Sequence, residues 1–269
     1  MGKVSAGKLI PDTALASAVY SKEMLDLTKA IVVGHGHYDH VMDLPSLANR
    51  LPLDVKVFCN KSVQNMLAST LLKPNLINAE TSSGNYTKTG EWLYSTDSSV
   101  RIMAFESAHL PHFLGITLYG GQAANHLKQL PTKAKEWKMG KPLTFLIDFM
   151  QANKPVCRIF AQSTSCKDSV GLFPKMLLTE KAVDICFNAI PSSKSRIDYV
   201  VRTLHYIQPK IAFINHWENF FKPYLSMKKP KGIAKANVGY AYKIIQQECG
   251  NASRIILPKP RSRFILVGQ

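Results

Sequence analysis

The chain has 269 residues, 46 % of them hydrophobic, and carries 34 Lys and Arg against 18 Asp and Glu, a formal charge of +16. That length can bury a sizeable core in one or two domains; no apolar run reaches the roughly 18–20 residues of a membrane span, and the first dozen residues lack the apolar stretch of a signal peptide. Five cysteines, an odd number without paired spacing, argue against a disulfide framework and fit a reducing compartment, with the cytoplasm as expected location.

The positive excess attracts anions of any kind (nucleic acid, phosphorylated metabolites, acidic lipid headgroups) and names none of them as partner of the chain or as its small-molecule substrate. In chain order, Asp12 is placed to N-cap a helix over 13–26 with Ala14, Leu15, Ala18 and Val19 on one face. A β-branched run, Ile31-Val32-Val33, then reads as a buried strand that Gly34 ends. His35, His37, Asp39 and His40 follow within six residues, three of the chain's eight histidines beside a carboxylate. Neutral imidazole and carboxylate are the usual ligands of zinc, singly or in pairs. In an extended loop alternate residues project the same way, so His35 and His37 can grip one ion while Asp39 and His40 grip a second. The plainer alternative is a His-rich surface loop.

Pro45 suits the first turn of a short helix. A strand over 55–59 and a helix over 61–72 ended by Pro74 continue an alternation of α/β character. Residues 81–99, rich in Ser, Thr, Asn and Gly, read as loops or hairpin turns. A strand over 100–105 delivers His109, and 115–119 reads as a short strand. Residues 120–141, with Lys128, Lys133, Lys135, Lys138 and Lys141, read as a basic, solvated excursion near the site. Strands over 143–149, 156–161, 183–190 and 211–214 follow, with a helix over 195–207 whose buried stripe is Ile197, Val200, Val201 and Leu204. The strand at 211–214 runs into His216 and Trp217. A helix over 237–248 and short strands over 254–257 and 263–267 close the chain. The run 222–235 is basic and reads as a solvated loop or as a holder of anionic substrate.

HGHYDHVMD at the end of an apolar strand resembles the signature of the metallo-β-lactamase fold superfamily, in the hydrolase branches that read HxHYDHxxD. The resemblance implies one domain over 1–269, an αββα sandwich with metals at one edge between the sheets. It implies His109 as third ligand of a first zinc beside His35 and His37, with His112 a competitor, and His216 as partner of Asp39 and His40 at a second. Asp39 would also orient the nucleophile or shuttle its proton, and Asp43 would partner a ligating imidazole or cap a helix. Trp217, Phe220, Phe221 and Tyr224 would line the substrate cleft.

The chain departs from that pattern twice. Several strands normally precede the first motif, whereas the 34 residues before His35 read as mostly helical, so the N-terminal sheet is expected to be shortened with one edge exposed. Ser163 stands where two-metal members carry a bridging aspartate, which weakens the second site unless Cys166 or Asp168 substitutes. The function implied is a zinc-dependent hydrolase using a metal-activated hydroxide on a small ester, lactone, amide or phosphodiester. Two alternatives remain: a nuclease or phosphodiesterase acting on nucleic acid, suggested by the charge, and a metal-binding protein with little or no catalysis.

Overall fold

A computed structural model describes residues 9, 11–111, 116–164, 169–190, 194–219, 232, 237–259 and 262–265. The N-terminal segment forms two short helices rather than one: α1 (Thr13–Val19) and α2 (Lys22–Asp26). Asp12 does cap the first, its side chain accepting from the N–H of Leu15 at 2.9 Å. Ser21 then starts a second helix by accepting from the N–H of Met24, and this competing cap breaks the expected 13–26 helix. The buried face is also shifted, to Ala16 and Leu25, while Ala14 and Ala18 are exposed.

Three parallel strands follow: β1 (Ala30–Val32), β2 (Lys56–Cys59) and β3 (Leu76–Asn78), in that spatial order, so β1 and β3 are the edges of a small sheet. Between them lie α3 (Tyr38–Val41), a 3-10 turn at Leu44–Leu47 with Pro45 in its first turn, and α4 (Lys61–Met66), which Asn60 caps. The second sheet has seven strands: β4 (Leu93–Tyr94), β5 (Val100–Glu106), β6 (Leu143–Gln151), β7 (Lys154–Gln162), β8 (Ile185–Ala189), β9 (Ile211–Asn215) and β10 (Arg254–Ile256). Their order is β10-β9-β8-β7-β6-β5-β4. The pairs from β4 to β7 are antiparallel and those from β7 to β10 parallel. Ala152 and Asn153 join β6 to β7 with φ of 46° and 60°, the left-handed pair that suits a two-residue hairpin. α5 (Leu177–Glu180), α6 (Lys194–Ile207) and α7 (Val238–Cys249) complete the helices. Among the described residues, 117–119 and 262–265 form no strand.

The period-two pleat sorts side chains into three apolar layers. In β2, Val57 and Cys59 face a cluster with Leu25, Val41, Val63 and Met66, whereas Phe58 faces Ile102, Ala104 and Phe145 of the other sheet. In β5, Val100, Ile102 and Ala104 face the first sheet, whereas Met103 and Phe105 face a cluster with Ile197, Val200 and Leu204 of α6 and Ala241 and Ile245 of α7. Helices, sheet, sheet, helices: the layering is αββα.

One buried polar knot lies in the large sheet. Asp148 on β6, fully buried, accepts from Arg158 Nε at 2.6 Å, Arg158 Nη2 at 2.7 Å and Arg101 Nε at 2.9 Å, and Glu180 closes the network on both guanidiniums. Arg101 also lies over the ring of Trp92, 4.0 Å from its centroid.

Candidate metal centre

β5, β7, β8 and β9 run in one direction, so their C-terminal ends share an edge of the large sheet. The C-terminal end of β1 reaches the same edge, where the N–H of Leu143 donates to the carbonyl of Gly34 at 2.7 Å and joins the two sheets. His35, His37, His109, Ser163 and His216 all lie just beyond strand ends, which is how residues nearly two hundred positions apart come together.

The motif changes backbone state in its middle. His37 is extended (φ −63°, ψ 147°), and Tyr38–Val41 then turn as helix. His35 and His37 thus leave from an extended stretch, while Asp39 and His40 leave from a helical turn. Two glycines make the loop possible. A Cβ on Gly34 would sit 2.0 Å from Ser163 Oγ, and one on Gly36 would sit 2.2 Å from the carbonyl oxygen of Lys138. Gly36 is pinned there, its N–H donating to the carbonyl of Met139 at 2.8 Å.

The segment that supplies those carbonyls is the one expected to be a solvated basic excursion, and that expectation is overturned. Trp137 is buried in the helix-facing core of the small sheet, with Ala123, Leu127, Leu130 and Ala134 packed against the same cluster. Asn60 ties its end down through donors to the carbonyls of Met139 and Lys141, both at 2.9 Å. Lysines dominate its composition and hide the sparse apolar positions that anchor it.

Two trios of metal-ligating groups result, each with ligand atoms within 4.8 Å of one another: His35, His37 and His109, and Asp39, His40 and His216. His35 and His37 are buried. The imidazole of His35 packs 4.7 Å from that of His37 and 4.9 Å from that of His109 between centroids. His109 Nδ1–H donates to the carbonyl of Leu110 at 2.7 Å, which leaves Nε2 as its lone-pair nitrogen. Ser163 Oγ lies 3.3 Å from His35 Nδ1, so a proton on Nδ1 is accommodated there. His35 Nε2 is buried with no hydrogen-bond partner. A buried lone pair facing two further imidazoles is what a metal ion satisfies, and nothing else among the described residues does. The residues present therefore fit a metal.

Charge divides the trios. Burial, followed by the neighbouring imidazoles, holds His35 neutral well below its usual range. Burial likewise lowers His40, to about 4, against the pull of Asp39. Burial also opposes a charge on His216, but Asp39, 3.6 Å away, outweighs it and raises His216. The same two histidines hold the Asp39 carboxyl below the usual carboxylate range in spite of its burial. His216 adopts φ 58°, a left-handed conformation that side chains rarely take and that tends to persist at working sites.

Other expected site residues fare differently. Asp43 neither bonds an imidazole nor caps a helix. Trp217 donates from Nε1 to the carbonyl of Pro258 at 3.1 Å, which gives it a structural tie. His112, Cys166, Asp168, Phe220, Phe221, Tyr224 and most of 222–235 lie outside the described residues. Three contributors had not been singled out: Gly36, Asn60 and the Lys138–Met139 carbonyls. Asn60, placed between a strand and a helix, was legible as a cap, but its bridge to residues eighty positions on was not.

Residues 11–127 match the family model of the beta-lactamase superfamily domain, a stretch that holds every ligand candidate except His216. No curated protein matches the sequence significantly. Among solved structures the chain is similar to Igni18, a novel metallo hydrolase from the hyperthermophilic archaeon Ignicoccus hospitalis, at 14 % identity and TM-score 0.47 over 87 % of this chain and 77 % of that one. A possible metal-dependent hydrolase from Veillonella parvula gives 13 % and 0.48 over 90 % and 78 %. CmlA, a diiron beta-hydroxylase from Streptomyces venezuelae, gives 12 % and 0.49 over 85 % of this chain but 43 % of its own.

Proposed function

We propose, from the match of residues 11–127 to the family model of the beta-lactamase superfamily domain, that the chain is a metal-dependent hydrolase, with zinc as its metal and a small ester, lactone, amide or phosphodiester as substrate. The observation that carries this reading is the meeting of two ligand trios at one sheet edge, with the His35 lone pair buried and partnerless inside the first. Zinc suits a set of five imidazoles and one carboxylate. At such a site it supplies Lewis acidity, polarising a carbonyl or phosphoryl oxygen and making water a nucleophile at neutral pH.

The chain's own part follows from its electrostatics. His35 and His40 are already neutral at pH 7, so holding a metal requires no proton to be displaced from them. His216 is the one histidine of the second trio that is raised rather than lowered, and Asp39 raises it. The Asp39–His216 pair is thus the place where a proton can be held and handed on beside the reacting groups. Ser163 supports the His35 ring through Nδ1 and adds no charge to either trio.

The test is elemental analysis of the purified chain together with hydrolysis of p-nitrophenyl acetate and bis-p-nitrophenyl phosphate, before and after chelation. Bound zinc and hydrolysis that is lost on chelation and restored by zinc support the reading. Zinc bound with no turnover of either substrate would replace it with a metal-binding protein, and a chain that takes up no metal would end it.

A further inference from the structure

Where the motif loop meets the large sheet, the stretch 138–143 is held by bonds that use none of its own side chains. The N–H of Gly36 donates to the carbonyl of Met139 at 2.8 Å, and the N–H of Leu143 to that of Gly34 at 2.7 Å. The N–H of Ser107 donates to the carbonyl of Pro142 at 2.9 Å, and Asn60 bonds the carbonyls of Met139 and Lys141. Gly140, at φ 67°, lies so close to the Asn60 amide that a Cβ would come within 2.6 Å of it. The stretch is thus tied both to the loop that carries His35 and His37 and to the segment that leads to His109.

A charge pair sits on this frame. The ammonium of Lys141 pairs with the carboxylate of Glu106, the two side chains 38 % and 44 % exposed. Glu106 ends β5 on the same face of the pleat as Ala104, which packs toward the first sheet. The pair therefore stands on the inter-sheet side of the edge where the trios lie. His109 is three residues further on, at most about 10 Å along the chain. Lys138 adds a second positive charge to the same turn, with no carboxylate partner among the described residues.

A pair this exposed contributes little to stability, and a stretch already fixed by its backbone has no need of a side-chain staple. Glu106 instead presents to Lys141 the group that an incoming oxyanion would present, and such an anion competes with it for the ammonium. Resting on the hydrolase reading above, we propose that Lys141 determines specificity by binding an oxyanion group of the substrate, phosphoryl or carboxylate, and that Glu106 holds that seat when substrate is absent. The preferred substrates then carry a negative charge beside the bond to be broken, a narrower class than esters, lactones, amides and phosphodiesters at large.

Calorimetric titration of the zinc-treated full chain with inorganic phosphate and with benzoate reads the seat without turnover, and the anion bound more tightly identifies the group. At about 0.15 M salt the general field of the chain is screened beyond about 8 Å. Lys141→Met should weaken binding of that anion at least fivefold, whereas Lys141→Arg should bind like the unmodified chain. Glu106→Gln, which frees the lysine, should tighten binding at least threefold, the opposite of what breaking a structural pair would do. Glu23→Gln, on the exposed side of α2, changes net charge equally and should leave affinity unchanged. Affinity that stays the same or falls in Glu106→Gln would overturn the proposal. So would an unchanged affinity in Lys141→Met, an equal gain in Glu23→Gln, or no binding of either anion. In hydrolysis, KM for bis-p-nitrophenyl phosphate should follow the titrations while that for neutral p-nitrophenyl acetate stays put. A chain that shows the affinity shifts but turns over neither substrate loses the hydrolase reading and keeps the anion seat, so the two failures are told apart.

Discussion

Replacing Asp39 by Asn removes the charge that holds a proton on His216, and the effect can be sized from the structure. The carboxylate oxygen lies 3.6 Å from His216 Nε2, with the two side chains 14 % and 29 % exposed. At that distance the attraction is about 1 kcal/mol at the dielectric of water and about 5 kcal/mol at an effective dielectric of 20. Partial exposure puts the pair between these limits. In metal-free Asp39→Asn, burial is opposed only by the weaker influences of the local backbone and Glu218, and the His216 midpoint should fall. NMR titration of the imidazole Cε1–H signals of the metal-free chain reads it directly. The linkage has a definite sign. A raised folded-state value contributes stability that is fully present below the unfolded value of 6.5 and is lost as pH rises through the folded one. The lowered His40 works the other way, losing stability as pH falls from 6.5 through about 4. Because Asp39 pulls it upward, the loss of Asp39 in the variant lowers it further and adds to the difference on the acid side. The gap in melting temperature between wild type and variant should therefore be wider at pH 6 than at pH 9. A His216 midpoint that moves by less than half a unit would refute the argument.

Gly36→Ala should cost about 1–3 kcal/mol in urea unfolding, because its Cβ meets a backbone carbonyl that cannot step aside, and the variant should lose metal from the first trio. Asp148→Ala leaves Arg101 and Arg158 buried without their anion and should cost about 3–5 kcal/mol while sparing metal content in whatever fraction folds; a cost under 1 kcal/mol would mean that the knot is solvated. Ser163→Asp adds a carboxylate beside His35, and the zinc bound per chain or its affinity should rise; no change in either would mean that the position faces away from both trios. In zinc titrations between pH 5.5 and 7.5, affinity at the second trio should gain up to tenfold per pH unit as the His216 proton is displaced, whereas His35 releases none.

Much of the centre was legible because its information is local. HGHYDH after a β-branched strand places four candidate ligands within six residues, and the division into trios follows from their spacing. His109 and His216 were legible as residues just past strand ends. What escaped reading depends on register and distant packing. Ser163 was read as a gap in the metal-bridging set, yet it stands against His35 Nδ1, a contact created by where β7 ends relative to β1. β3 is three residues long and follows a proline, too short for any periodicity to declare it. The clamp on Gly36 comes from a lysine-rich stretch whose anchors, Trp137 and Leu127, are spaced without period. Asp43 looked like a helper of the ligands because it is near them in sequence, but among the described residues its carboxylate bonds no imidazole, and Oδ1 is buried without a hydrogen-bond partner.

The ordering of the strand ends also sets a clock on biosynthesis. His35 and His37 leave the ribosome early, but the groups that enclose them are encoded far downstream: His109, then the Lys138–Met139 carbonyls, then Ser163, and last His216 on β9. At roughly 5–20 residues per second, the 180 or so residues between His37 and His216 take about 10–35 seconds to emerge. Through that interval the nascent chain presents an open pair of imidazoles and an unfinished sheet. On the proposed reading the first trio is complete once His109 has emerged, whereas the second waits for His216, so the two sites would fill in that order and the second would be the last to close.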